Sequence, residues 1–185
     1  MAMELRQLAL EAARFAVRFA EGDGRTLGPM GSDEVEFYLT ANPGEDPRPL
    51  ARVASGGELS RIMLALKTLM AGDHDGATLI FDEVDTGIGG RVAEVVGCKL
   101  HELGRRRQVL TVTHLPVIAA FAEHHVAVTK RTVRGRTVST ANPLSGSGRV
   151  DELARMLGGA RRTREAREHA GELLRTGRGG RRPAA

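Results

Sequence analysis

The chain has 185 residues, enough for one domain with an appendage, and a formal net charge of +4. All but three of its 27 basic residues are arginine, and residues 160–185, with eight Arg and three Glu, hold the excess, which excludes a uniformly basic nucleic-acid coat. One cysteine excludes a disulfide framework and a cysteine zinc site, no apolar run approaches about 18 residues, and 3% aromatics without tryptophan argue against a base-stacking platform.

In chain order, Leu5, Leu8, Ala9 and Ala12 recur at helical spacing, so residues 3–14 read as a helix. It starts uncapped, as the end of something longer would. Phe15, Val17 and Phe19 then alternate with Ala16 and Arg18, a strand, and Val35, Phe37 and Leu39 alternate with Glu34, Glu36 and Tyr38, a second one. Leu59, Ile62, Met63, Leu66, Leu69 and Met70 form a helical stripe. Ala77–Phe81 is an apolar run that ends in Asp82-Glu83. Val92, Val95, Val96 and Leu100 mark a helix, and Gln108–Val112 is a second apolar run, ending in Thr113-His114. Pro116 opens a short helix to Ala122. Val126–Lys130 and Arg136–Thr140 flank Arg134-Gly135 as a hairpin. Val150–Leu157 is a helix closed by Gly158-Gly159, and Thr163 caps a last helix to about Leu174. Two apolar strands separated by a helix imply a parallel sheet covered on both faces, with chemistry just past the strands' carboxyl ends.

Asp82, Glu83 and His114 stand at those ends. Two adjacent carboxylates at a strand tip suit Mg-nucleotide chemistry: the first holds the Mg²⁺ shell through water, the second orients or deprotonates an attacking water. A solvated acidic strand end is the plain alternative. Ser55-Gly56-Gly57-Glu58 leads into the amphipathic helix. Ser55 is a natural N-cap, and two glycines leave backbone N–H groups open to a phosphate, at a cost of about 1 kcal/mol each relative to alanine. An ordinary capped helix is the alternative here. A strand-end histidine such as His114 can reach a γ-phosphate as a polar sensor, although a packed or capping histidine is the commoner case. The other histidines (74, 101, 124, 125 and 169) read as surface residues. Asp85-Thr86-Gly87-Ile88-Gly89-Gly90 is a tight loop with one fixed charge. No Gly-x-x-x-x-Gly-Lys-[Ser/Thr] loop cradles α- and β-phosphates in this chain.

In this order the motifs resemble the C-terminal half of an ABC-type P-loop ATPase head. Ser55-Gly56-Gly57-Glu58 matches the signature, Asp82-Glu83 the Walker B pair, Asp85 the D-loop and His114 the switch histidine. The closer resemblance is to the RecN family of SMC-like bacterial DNA repair ATPases. It rests on Val53–Lys67, Phe81–Ile88, Val112–Pro116, Asn42–Glu45 and Glu152–Gly159, and covers roughly residues 5–175. Gly89 departs from it, where a small hydroxyl residue is expected.

The resemblance implies an α/β fold with a mainly parallel sheet covered by helices, followed by a C-terminal hairpin and helices. Residues 1–14 would be the end of a coiled-coil arm entering the head, 15–175 the C-terminal lobe, and 176–185 a disordered basic tail. It implies ATP and Mg²⁺ as cofactors. Glu83 and His114 would be catalytic. Ser55, Gly56, Gly57, Glu58 and Asp85 would be nucleotide-binding, with Asp85 linking two sites across a dimer, and Asp82 would hold Mg²⁺ through water. The implied partners are an N-terminal head half carrying Walker A, a second head in an ATP-dependent homodimer, and DNA, in a cytoplasmic, nucleoid-associated protein with no membrane contact. The absent lysine loop then reads as a truncation or a split chain, which alone binds ATP weakly and does not hydrolyse it. The alternatives are a nucleotide-binding domain fragment of an ABC transporter, or a non-catalytic dimerisation module.

Overall fold

The computed structural model describes residues 1–20, 27–29, 31–40, 44–52, 56–70, 77–159 and 163–179. Helix α1 (Ala2–Gln7) is followed by strands β1 (Arg14–Ala20), β2 (Glu34–Thr40) and β3 (Arg48–Pro49), and by a 3-10 turn at Leu50–Arg52. Then come α2 (Gly56–Leu69), β4 (Leu79–Phe81), α3 (Gly90–Gly104), β5 (Val109–Thr111) and α4 (Pro116–Phe121). Strands β6 (His125–Val133) and β7 (Arg136–Leu144) and helices α5 (Gly146–Gly158) and α6 (Arg164–Arg178) complete the chain.

The α/β class holds, but only one of the three sheets is parallel. β1-β2-β3 is an antiparallel meander, β4 pairs in parallel with β5 (Leu79 opposite Val109), and β6 pairs antiparallel with β7. The parallel pair is covered on one face only. Phe81 is buried against α2 and α3, whereas Ile80, Leu110 and Val112 stand 70%, 47% and 62% exposed. The expectation of helices on both faces therefore fails for the strands this chain contributes.

Two cores result. The larger joins Leu5, Leu8, Leu10, Leu39, Ile62, Leu64, Phe81, Val84, Val96 and Leu100. The smaller seals α4, α5 and α6 around Leu153, Ala154, Ala170 and Leu174. Where α3 crosses α4, a Cβ on Gly97 would lie 2.5 Å from the Phe121 ring, so the crossing requires glycine.

Two boundaries differ from the sequence expectation. The first helix stops at Gln7 rather than running to residue 14. Ala9 turns left-handed at φ 58°, its N–H bonding to Arg6 O, and Leu10 N–H bonds to Leu5 O at 3.0 Å. This is the usual glycine-type helix stop, executed here by alanine because the reversal buries Leu8, Leu10 and Ala13. At the other end α6 continues to Arg178, so residues 176–178 are helical rather than tail; residues 180–185 lie outside the described residues. A partly buried ion pair between Glu4 of α1 and Lys99 of α3 ties the first helix to the middle of the chain.

Candidate functional site

The signature block, the acidic strand tip and the strand-end histidine meet where β4 and β5 end. Ser60 Oγ, on the first turns of α2, donates to Asp82 O at 2.5 Å, and buried Arg61 donates from Nη1 to Thr86 O at 2.7 Å. Burial lowers the Arg61 pKa, opposed by the charge of Glu58. These bonds dock the start of α2 onto the loop that follows the carboxylates. The contact is close: a Cβ on Gly57 would fall 2.8 Å from Thr86 Cβ and 3.1 Å from Glu83 O, and one on Gly56 would fall 2.1 Å from Glu83 Oε2. Close packing within the chain is thus one reason for Gly57, beside the open N–H groups read from the sequence, whereas Gly56 approaches only the movable end of the exposed Glu83 side chain. Ser55, with Val53 and Ala54, lies outside the described residues.

Asp82 and Glu83 are both exposed. The Glu83 amide donates to Asp82 Oδ1 at 2.9 Å. Glu83 itself sits at φ 56°, a left-handed conformation that strains a residue with a side chain. Strain of this kind, about 1–3 kcal/mol, collects at functional positions where the surroundings over-determine the backbone.

Asp85, expected at the nucleotide and across a dimer, is turned inward in this chain. It is 4% exposed, and its Oδ2 accepts from Thr113 Oγ1 at 2.6 Å and from the His114 amide at 2.8 Å, with His114 Nδ1 at 2.9 Å. Burial pushes its pKa up, but the bonds from Thr113 and His114 outweigh that and hold the carboxyl below its ordinary value. The carboxylate binds the loop after β4 to the end of β5. Because a carboxylate only accepts, it accepts a hydrogen bond from Nδ1–H and leaves Nε2 outside that bond, on a ring whose side chain is 75% exposed.

The positioning roles of Ser60, Arg61 and Thr113 were missed by sequence reasoning. Thr113 had one signal, its place beside His114, while Ser60 and Arg61 had none beyond the helix stripe. Two histidines read as surface are half-buried. His101 Nδ1 lies 3.0 Å from Phe121 O, and His125 faces Arg149 at the root of the hairpin. His74 lies outside the described residues. Among the described residues no group of three or more metal-binding side chains occurs, so a cation here would be shared with other oxygens.

No family model matches the chain. Proteins named DNA repair protein RecN match almost all of it. The protein from Halalkalibacterium halodurans is 47% identical over 175 residues, covering 92% of this chain and 31% of that protein. The one from Streptomyces coelicolor is 47% identical over 185 residues, covering 95% and 32%, and the one from Treponema pallidum 46% over 177 residues, covering 94% and 31%. The chain thus spans about a third of the length of the curated relatives it matches, and it is RecN-like over nearly its whole extent. Among solved structures, the Smc head domain with a coiled coil and joint from Pyrococcus yayanosii superposes with a TM-score of 0.52 at 18% identity, covering 82% of this chain and 27% of that one. The chain therefore has the fold of part of an SMC-type head.

Proposed function

We propose that this chain is the C-terminal head segment of a RecN-type ATPase in DNA double-strand-break repair. It would supply the signature, Walker B pair, following loop and switch histidine to nucleotides held between two heads. The observation that carries the reading is the meeting of these motifs at one sheet edge, in a chain 47% identical to a RecN protein. The relatives give no support to a transporter.

Asp82 and Glu83 offer two exposed hard oxygen donors. That is too few to enclose Mg²⁺ but suits an ion that keeps waters and shares substrate phosphates. ATP, when bound, supplies the phosphoanhydride. Glu83 accepts the proton of the water it orients. His114, its Nδ1 held by Asp85, accepts from water at Nε2 when neutral and donates to a phosphate oxygen when protonated. The Ser60 and Arg61 bonds keep the signature helix in register with Glu83.

The uncovered face of β4-β5 supports a complementary segment. Ile80, Leu110 and Val112 present an apolar patch to solvent, and most of the length of the relatives lies outside the matched part. We assign this face to the half of the head carrying the lysine loop. In this reading α1 is where a coiled-coil arm enters, the lobe spans residues 15–175, and the assembled protein works on cytoplasmic DNA as an ATP-dependent dimer. No helix among the described residues is long and apolar enough to cross a membrane.

The test is reconstitution. The chain alone should bind ATP weakly without turnover, and adding the segment with the lysine loop should give Mg-dependent hydrolysis and ATP-dependent dimers by light scattering. Appreciable turnover by the chain alone would overturn the reading, and a combined pair that dimerises without hydrolysing would leave a non-catalytic dimerisation module.

A further inference from the structure

Between Glu123 and Asp151 the sequence has no acidic residue, and within that span the β6-β7 hairpin carries Lys130, Arg131, Arg134 and Arg136. All four are exposed, and among the described residues none has an ion-pair partner. The ribbon has nine paired positions, about 30 Å of strand, from His125 opposite Leu144 to Val133 opposite Arg136. Its root is fixed. Ala127 is buried, and buried Arg149 donates to Ala122 O at 2.7 Å and Glu123 O at 3.1 Å, clamping the segment that leads into β6. From Val128 to Ser139 every residue of both strands and the turn is exposed. A lone two-stranded ribbon is marginal in water, so this outer half contributes little to the fold.

The register spreads the cations over the tip. Arg131 lies opposite Val138 and Arg136 opposite Val133, on one face; Lys130 lies opposite Ser139, on the other. Arg134 occupies the apex at φ 50°, beside Gly135 at φ 78°. A two-residue turn with both φ values positive is the geometry for which Asn-Gly or Asp-Gly is favoured. An arginine there keeps a positive charge at the apex at a conformational cost that asparagine or glycine would relieve. The remaining tip side chains are mostly hydroxyls, with Thr129 Oγ1 2.8 Å from Thr140 Oγ1.

We infer that this hairpin is a prong for the phosphate backbone of duplex DNA. A two-stranded ribbon fits the major groove, and cations on both faces and at the apex then meet phosphates on either side. Spread over both faces and the apex, the cations are placed to meet phosphates rather than one base edge, so the assigned contact is with the backbone. It deepens the DNA side of the proposed function and does not depend on ATP.

The test is nucleotide-free binding of the full chain to a mixed-sequence duplex of 30 base pairs by fluorescence anisotropy, between 50 and 200 mM salt. Changing Arg131, Arg134 and Arg136 to Gln should weaken binding on the order of 10²-fold at 100 mM salt and lower the slope of log K against log salt by about 3. The same three changes to Lys should retain affinity within a few-fold. R134G, which relieves the left-handed strain, should keep or raise thermal stability while lowering the slope by about 1. Unchanged affinity and slope in the triple Gln variant would overturn the assignment, as would loss of poly-glutamate binding with DNA binding intact, which would mark an acidic protein surface instead. A wild-type chain that binds no duplex would overturn the assignment as well.

Discussion

The two ends of the molecule solve the burial of apolar surface differently. Around α4, α5 and α6 the chain closes on itself, with Leu153, Ala154 and Ala170 fully buried. Around β1-β2 and β4-β5 it does not: Phe19, Ile80 and Val112 are 69%, 70% and 62% exposed, and Val17, Val35 and Phe37 share the same bare ribbon face as Phe19. One hydrophobic rule operates in both places. A helix stripe finds its partner within the chain, whereas these strands have residues to bury and, among the described residues, no neighbour to bury them against. The difference separates a unit closed on itself from one with open apolar faces, and the candidate site lies at the edge of the open one.

That comparison is sharpened most by chemistry. If the open region is half of a site, E83Q in the reconstituted head should still bind ATP and dimerise while hydrolysis falls by about 10²–10⁴, the usual contribution of a general base. Steady-state turnover beside light scattering checks it, and a wild-type rate would end the assignment. D82N should instead weaken dimerisation, since it disturbs Mg²⁺ binding.

Stability should divide along the same line. L153A, in the closed unit, should cost about 2–5 kcal/mol in a denaturant titration. L110S, on the bare face, should leave the chain's own stability nearly unchanged and abolish its association with the complementary segment. Similar losses for both would erase the distinction between the two regions.

At Asp85, replacement by Asn should cost about 1–3 kcal/mol, because the Thr113 and His114 donors lose their charged acceptor. The Asp85 carboxyl is held below its unfolded pKa, so its contribution is present above about pH 3.9 and is lost as pH falls through the lower folded value. Thermal melts between pH 5 and 2.5 should show that loss in the wild type and not in D85N.

The smallest effect belongs to the closed unit and to milder acid. Burial, helped by the Arg149 charge and opposed by Glu152, holds the His125 pKa below its ordinary value. The unfolded chain therefore takes up the proton first, and stability falls as pH drops below about 6.5 toward the folded value. H125N should flatten the melting temperature between pH 7 and 5; an unchanged slope would leave the ring without that role.

Much of this was legible in the sequence because periodicity reports burial. The alternation at Val35, Phe37 and Leu39, the stripe from Leu59 to Met70 and the Arg134-Gly135 turn all predicted elements that form. The β1-β2 alternation also correctly marked an apolar face, though not that the face is open. What escaped depends on contacts far apart in the chain. Nothing near Leu8-Ala9-Leu10 announces a left-handed stop, since alanine takes that role only because the reversal buries its neighbours. Asp85 could be located as a fixed charge, but its inward turn depends on Thr113, which a distant strand brings to it. The apolar runs at Ala77–Phe81 and Gln108–Val112 implied cover on both faces, and hydrophobicity alone cannot say which chain provides it.

The Glu4–Lys99 pair gives the first helix a mechanical meaning. Lys99 is buried and Glu4 partly so, and the pair joins the two helices as a rivet rather than a tether. α3 begins at Gly90, at the end of the loop that opens with Glu83 and Asp85. A torque applied through α1 is therefore delivered to α3 as to a crank, and the near end of that crank is the loop that seats His114. A pull on α1 and the poise of the histidine are geared together by one lysine.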